Sequence, residues 1–264
     1  MSAHTDHRPV PAMPLPRLAA LYANEAWLEL LKLLRTPAFA APTLAFPLAF
    51  YVFFGLVLPG QWSGLDRPTF LLATYGVFGV MGPALFGFGV GLAMERENGL
   101  LALKRVSPMP IAAYFTAKIA MSLVFALAVV LLLSAAAVWG GGVRIAPGRW
   151  SLLVAVLLVG TLPFCAMGLW IGALARGQAA VAIVNLVYLP MAVLSGLWIP
   201  LMLFPPLLQA LAPVWPAWHL SQLALGVVGQ AQSVPWAWHL AVLLLFTVMF
   251  LALAAARLES RGER

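Results

Sequence analysis

Few side chains in this sequence could perform chemistry. A nucleotide-hydrolysing site needs a phosphate loop closing on Gly-Lys-Ser or Gly-Lys-Thr, but all three lysines follow apolar residues: Lys32 after Leu31, Lys104 after Leu103 and Lys118 after Ala117. The stretch Gly87-Phe88-Gly89-Val90-Gly91-Leu92 superficially resembles a dinucleotide fingerprint, but its third glycine is misplaced and it lies deep in an apolar run. Gly87 and Gly91 fit better as a small-xxx-small pair for helix packing. His219 and His239 fall at or near the ends of apolar segments, and Cys165 reads as a small buried hydrophobe. Asn185, an amide in mid-segment, suits an interhelical hydrogen bond ahead of a substrate contact. No His, Cys or carboxylate cluster has catalytic or metal-ligand spacing, so no catalytic, cofactor-binding or metal-binding residue is assigned.

The densest polar stretch is Glu95-Arg96-Glu97-Asn98-Gly99-Leu100-Leu101-Ala102-Leu103-Lys104-Arg105-Val106-Ser107-Pro108-Met109. Gly99 allows a turn after an acidic helix end. Leu101 and Leu103 with Lys104 and Arg105 form a short amphipathic element, and Ser107-Pro108 starts the next helix. On composition alone this is an ordinary solvated loop.

The elements that position these residues follow from composition. Of 264 residues, 63% are apolar and only 9% charged, and mean hydropathy is +0.98. A soluble domain carries about 25% charge, so the chain is an all-α polytopic membrane protein. One cysteine excludes a disulfide scaffold. Crossing roughly 30 Å of hydrocarbon takes about 20 apolar residues, and dividing the charge-free stretches gives six spans at about 37–58, 69–93, 111–139, 150–174, 179–199 and 236–256. Before them, 1–36 is a cytoplasmic segment, and after them 257–264 is a cytoplasmic tail. Five prolines between Pro200 and Pro216 point to short or re-entrant outer helices between spans 5 and 6.

The net charge of +7 is explained by topology rather than by nucleic acid. Assigning alternate sides places 12 of the 15 Lys and Arg on one face and Arg67, Arg144 and Arg149 on the other, which puts both termini in the cytoplasm. Eight tryptophans, including Trp62, Trp139, Trp150 and Trp236, fall at the outer interface. The first apolar run starts after 35 residues, so no cleavable leader is expected and span 1 serves as the insertion signal. Glu25, Glu29, Lys32 and Arg35 form one stripe of a helix over 17–35, which suits an amphipathic helix in the inner membrane interface, with lipids as partners. Twelve Arg against three Lys, with abundant Ala and Leu, fit a GC-rich bacterial genome and hence a bacterial cytoplasmic membrane.

At 95–118 the sequence resembles the permease subunits of type-2 ATP-binding-cassette exporters. Arg96, Glu97, Gly99, Leu101, Leu103, Ser107, Pro108 and Lys118 stand in register with that family's loop. Leu100, Ala102 and Ala117 depart from its usual Thr, Glu and Gly. Pro213-Val214-Trp215-Pro216-Ala217-Trp218-His219-Leu220 looks like the family's outer Pro-x-x-His region. The resemblance implies a permease that pairs with a second copy of itself or a related permease, and with separate cytoplasmic ATPase subunits that hold ATP and Mg. It implies an ATPase-coupling loop of Glu95, Arg96, Glu97, Gly99, Leu101, Leu103, Lys104, Arg105, Ser107, Pro108 and Lys118, with the Arg176 loop as a second contact. It also implies an outer re-entrant segment containing Pro213, Pro216, Trp218 and His219. Charge-free spans favour a hydrophobic or amphiphilic substrate such as a drug, lipid-linked molecule or peptide. The alternative class is a secondary transporter or channel needing no ATP.

Overall fold

The computed structural model describes residues 14–58, 64–106, 109–230 and 235–262, and every regular element among them is a helix. Helix α1 (Leu15–Leu34) precedes a break at Thr36-Pro37. Helix α2 (Pro37–Phe50) runs on into a π-helical turn, Tyr51–Val57. Next, α3 (Arg67–Gly82), a π-helical stretch Pro83–Val90 and α4 (Gly91–Glu97) form one rod, followed by the short α5 (Leu100–Val106). Then come α6 (Ile111–Trp139), α7 (Pro147–Val159), α8 (Leu162–Leu174) and α9 (Gly177–Leu194). The chain closes with α10 (Pro206–Leu211), α11 (Pro216–Val228) and α12 (Trp236–Gly262).

Six of these rods are long and apolar enough to cross a membrane: Pro37–Val57, Arg67–Glu97, Ile111–Trp139, Pro147–Leu174, Gly177–Leu194 and Trp236–Leu258, here spans 1 to 6. Several helices open on proline in their first turn, among them α2, α3, α7 and α11, where the missing N–H would have had no partner anyway. Inside span 2, Pro83 has no N–H to give the preceding turn, and the backbone widens into π geometry beyond it. Span 4 is jointed at Gly160-Thr161, and the Thr161 hydroxyl donates to the Leu157 carbonyl at 2.9 Å. Span 5 stops at Leu194 rather than near 199, because Gly196 at φ 72° turns the chain away.

Span 2 is the axis of the bundle. In its most apolar stretch 78% of residues are buried, against 17% for spans 1 and 6, which leaves those two on the periphery. Span 3 and α8 pack along span 2, α12 packs on α8, and α1 lies on α6. Between spans 5 and 6 the expected short helices are present. α10 is exposed, while α11 is buried along nearly its whole length between α3, α7 and α12. A Cβ on Gly160 would come within 2.2 Å of Leu220 Cδ1, so the missing side chain at the span 4 joint is what admits α11.

Close approach at mid-bundle is made by a different glycine from the expected pair. A Cβ on Gly89 would fall 2.8 Å from the Gly168 carbonyl oxygen, and one on Gly172 would fall 2.6 Å from the Gly89 oxygen. Spans 2 and 4 therefore touch backbone to backbone. Gly87 instead faces the side chains of Met121 and Phe39, each at 3.2 Å from a notional Cβ, and Gly91 leaves room for the Lys118 ammonium. The small-xxx-small rule assumes α-helical spacing, but the π stretch through Val90 shifts which residues share a face.

Candidate functional site

The polar stretch after span 2 builds a site from the residues upward. Gly99 takes φ 73°, a conformation that strains any residue with a Cβ, and the turn lets α5 start immediately at Leu100. Within α5, Leu101 turns into the core at 6% exposure, while Leu100, Leu103 and Val106 are 45%, 65% and 83% exposed. The helix thus presents an apolar outer face. Arg105 belongs to α5, but its side chain, like Ser107 and Pro108, lies outside the described residues.

Two residues at the end of span 2 clasp the turn between spans 4 and 5. Arg96 donates to the Gly172 carbonyl at the C-terminal end of α8, where the helix dipole favours a cation. Glu97 presses against Gly177, the first residue of α9, so closely that a Cβ there would stand 1.6 Å from its Oε2. That places a carboxylate at a helix N-terminus, the favourable end for an anion. Opposite charges thus sit at opposite helix ends on either side of Arg176.

Glu95 and Lys118 point the other way, contrary to their expected place on a loop surface facing a partner. Lys118, although near a span end, has no exposed surface. Its ammonium lies 2.5 Å from Glu29 Oε1 and 3.3 Å from the Glu95 carboxylate. Two carboxylates on different helices make burial of the ammonium tolerable, where a lone buried charge would not be. Lys32 binds the same two carboxylates, at 2.7 Å from Glu29. Burial pulls the Lys32 ammonium down, but Glu29 and Glu95 outweigh it and hold Lys32 above the usual lysine value. Tyr114 donates to Glu95, and its ring lies between Lys104 and Lys118, whose ammoniums are 4.9 and 5.0 Å from its centroid. Lys104 also pairs with Glu25 of α1.

Sequence reasoning did not bring Glu25, Glu29, Lys32 and Tyr114 to this site. The stripe on α1 was visible, but a charged stripe on an interfacial helix ordinarily faces water. Here Glu29 is buried against the spans, while Trp27, Leu28 and Leu34 face outward. An unpaired lysine two turns inside an apolar span was the signal that a partner had to come from elsewhere.

At the far end, His219 and His239 meet with Nδ1 atoms 3.0 Å apart, and His219 Nε2 donates to the Pro213 carbonyl at 2.9 Å. The His219 Nδ1 therefore accepts, and His239 donates across the gap. Trp218 stacks edge-on against both rings. Pro216 is buried at the head of α11 and Pro213 is exposed before it. The pair fastens α11 to span 6.

The geometry is that of a six-span helical bundle with a short amphipathic helix hung from its most buried span. A family model described as ABC-2 type transporter matches residues 25–228, most of the chain, including α5 and the charges around Lys118 but not His239. The chain belongs to the ABC-2 type transporter family. A Bacillus subtilis (strain 168) protein named as a transport permease, YvfS, is 28% identical over 233 residues, covering 86% of this chain and 92% of that one. As an ABC-2 permease the chain is a multi-pass membrane protein of transport. The loop carrying Arg96, Glu97 and Gly99 lies within the matched residues, as do α11 and the ion pairs around Lys118.

Proposed function

We propose that this chain is the transmembrane subunit of an exporter in a bacterial cytoplasmic membrane, driven by a separate cytoplasmic ATPase. The observation that carries the reading is α5: a two-turn helix at the end of the central span, apolar on its outer face and tied on its inner face to α1 and span 3. Such a face suits a groove in a partner. Force applied there passes directly into span 2, and through Arg96 and Glu97 into spans 4 and 5. The ATPase holds ATP and Mg. The basic excess around α5 supports a cytoplasmic location for this end and both termini.

The substrate is hydrophobic or amphiphilic. A cavity of about 450 Å³ opens between spans 1, 2 and 5, walled by Phe46, Phe50, Phe78 and Trp198, with Thr43, Asn185 and Tyr188 as its polar members. Asn185 donates to Val181 of its own helix at 3.0 Å. Phe50 stacks on Trp198 at 5.2 Å, and Phe78 on Tyr188 at 5.0 Å. Spans 1 and 5 flank this cavity and keep Phe46, Phe53 and Leu186 exposed, and a second permease packed along that face completes the passage.

The test is a mild-detergent purification of the tagged chain from its host, with and without Leu103→Asp and Val106→Asp. Co-purification of an ATPase that the double variant loses, together with its stimulated hydrolysis, is the expected result. An unchanged complex with the double variant would overturn the assignment of α5. Transport that persists without ATP and follows an ion gradient would favour a secondary transporter.

A further inference from the structure

The charges around Lys118 form a closed ring. Glu29, Lys118, Glu95 and Lys32 alternate in sign, and each touches both neighbours: Glu29 to Lys118 at 2.5 Å, Lys118 to Glu95 at 3.3 Å, Glu95 to Lys32, and Lys32 to Glu29 at 2.7 Å. The ring is shared between two bodies. Glu29 and Lys32 belong to α1 and pair with each other. Glu95 and Lys118 belong to spans 2 and 3 and pair with each other. Each half is neutral alone. Removing one member of a buried ion pair strands an uncompensated charge, whereas separating these halves leaves two intact pairs.

Beside the ring, α1 lies along α6: Glu29 and Leu33 are buried, Leu18, Leu21, Tyr22 and Ala26 are half-buried, and Leu33 and Leu30 pack with Met121 and Phe125. One more bond runs to α5, from Lys104 to Glu25. Lys104 in turn stands over Tyr114, which donates to Glu95 in the ring. α5, held in the core by Leu101, is thus also linked to α1 through Lys104.

We propose that α1 is a separable latch: its Glu29–Lys32 pair docks head-to-tail on the Glu95–Lys118 pair of the spans, and α1 when docked sets the position of α5 through Glu25. Glu25, Glu29 and Lys32 are then positioning residues. Docking is a property of this chain alone. Its effect on coupling rests on the reading of α5 as the ATPase contact.

The arrangement predicts the outcome of a charge-swap cycle. In E29K/K32E, α1 stays neutral but presents like charges to the spans, and in E95K/K118E the spans do the same to α1. Combining all four substitutions restores alternation. The readout is amide hydrogen exchange of residues 15–34 in the full chain in lipid nanodiscs, which reports local opening. Each half-swap raises exchange in α1 by about tenfold or more, and the full swap returns it to near the wild-type rate. Unchanged exchange in the half-swaps, or no recovery in a full swap whose span amides remain protected, overturns the latch. Should the swaps insert poorly, E29Q/K32Q leaves the Glu95–Lys118 pair intact. It raises exchange in α1 and not in spans 2 and 3, and equal loss of protection in all three overturns the proposal. With a co-purified ATPase, E29Q/K32Q and E25Q lower substrate moved per ATP hydrolysed while leaving ATPase binding in place. If no ATPase is ever recovered, the proposed function fails, and the exchange data still decide the latch.

Discussion

Lys118 lies two turns into span 3 with no exposed surface, and its charge is met by Glu29 and Glu95. Lys118→Leu leaves two buried carboxylates against Lys32 alone, so it costs about 3–5 kcal/mol, measurable as a fall in the unfolding midpoint of the purified chain. Gly89→Ala drives a methyl into the Gly168 backbone and costs about 1–3 kcal/mol. Gly87→Ala meets only side chains and costs less in the same assay. A pH effect follows from Lys32, whose ammonium faces Glu29 and Glu95, with Lys118 and Tyr114 alongside. Its folded value is raised above the ordinary 10.5, so its contribution is complete below pH 10.5 and is lost as pH rises through the raised value. The protection that Lys32 gives α1, read as hydrogen exchange corrected for its intrinsic pH dependence, persists through neutral pH and is lost in strong alkali. At this scale the sequence disclosed residue types better than directions. The register of Arg96, Glu97, Gly99 and Lys118 was readable, but which of them face inward depends on α1, nearly ninety residues before Lys118 in the chain.

Among the elements, α5 and α11 do opposite things with similar apolar content. α11 buries almost every residue because Gly160 opens a slot for Leu220. α5 is pinned at Leu101 and leaves three apolar residues outside. Leu103→Asp and Val106→Asp therefore leave the unfolding midpoint nearly unchanged, within about 0.5 kcal/mol, while Gly160→Leu lowers it strongly by displacing α11. Six spans were legible from charge-free length, and short helices between spans 5 and 6 from five prolines. The joint at Gly160-Thr161 and the π stretch after Pro83 were not. The joint answers to α11, and periodicity within one segment carries no record of its neighbours, while the π stretch follows the donor missing at Pro83, whose effect on backbone spacing a proline alone does not specify.

For the whole molecule, the proposed second permease lies along the exposed apolar faces of spans 1 and 5. With the buried Cys165 replaced by alanine, Leu186→Cys on span 5, 74% exposed, should cross-link in native membranes to a species twice the 28.3 kDa chain. Leu244→Cys on span 6, 65% exposed, should not, and the reverse pattern would move the interface to the other side. The charge asymmetry carries the expectation of orientation, but which apolar face meets protein and which meets lipid is a choice between two hydrocarbon-like environments. Composition is blind to it. The ring around Lys118 also sets an order of events during synthesis. α1 leaves the ribosome first, before Glu95 and Lys118 exist to receive it. Its own Glu29–Lys32 pair lets it wait at the membrane surface without an uncompensated charge. Only when span 3 has been inserted can α1 be seated, so a nascent chain halted before Lys118 holds a finished helix with nowhere yet to dock.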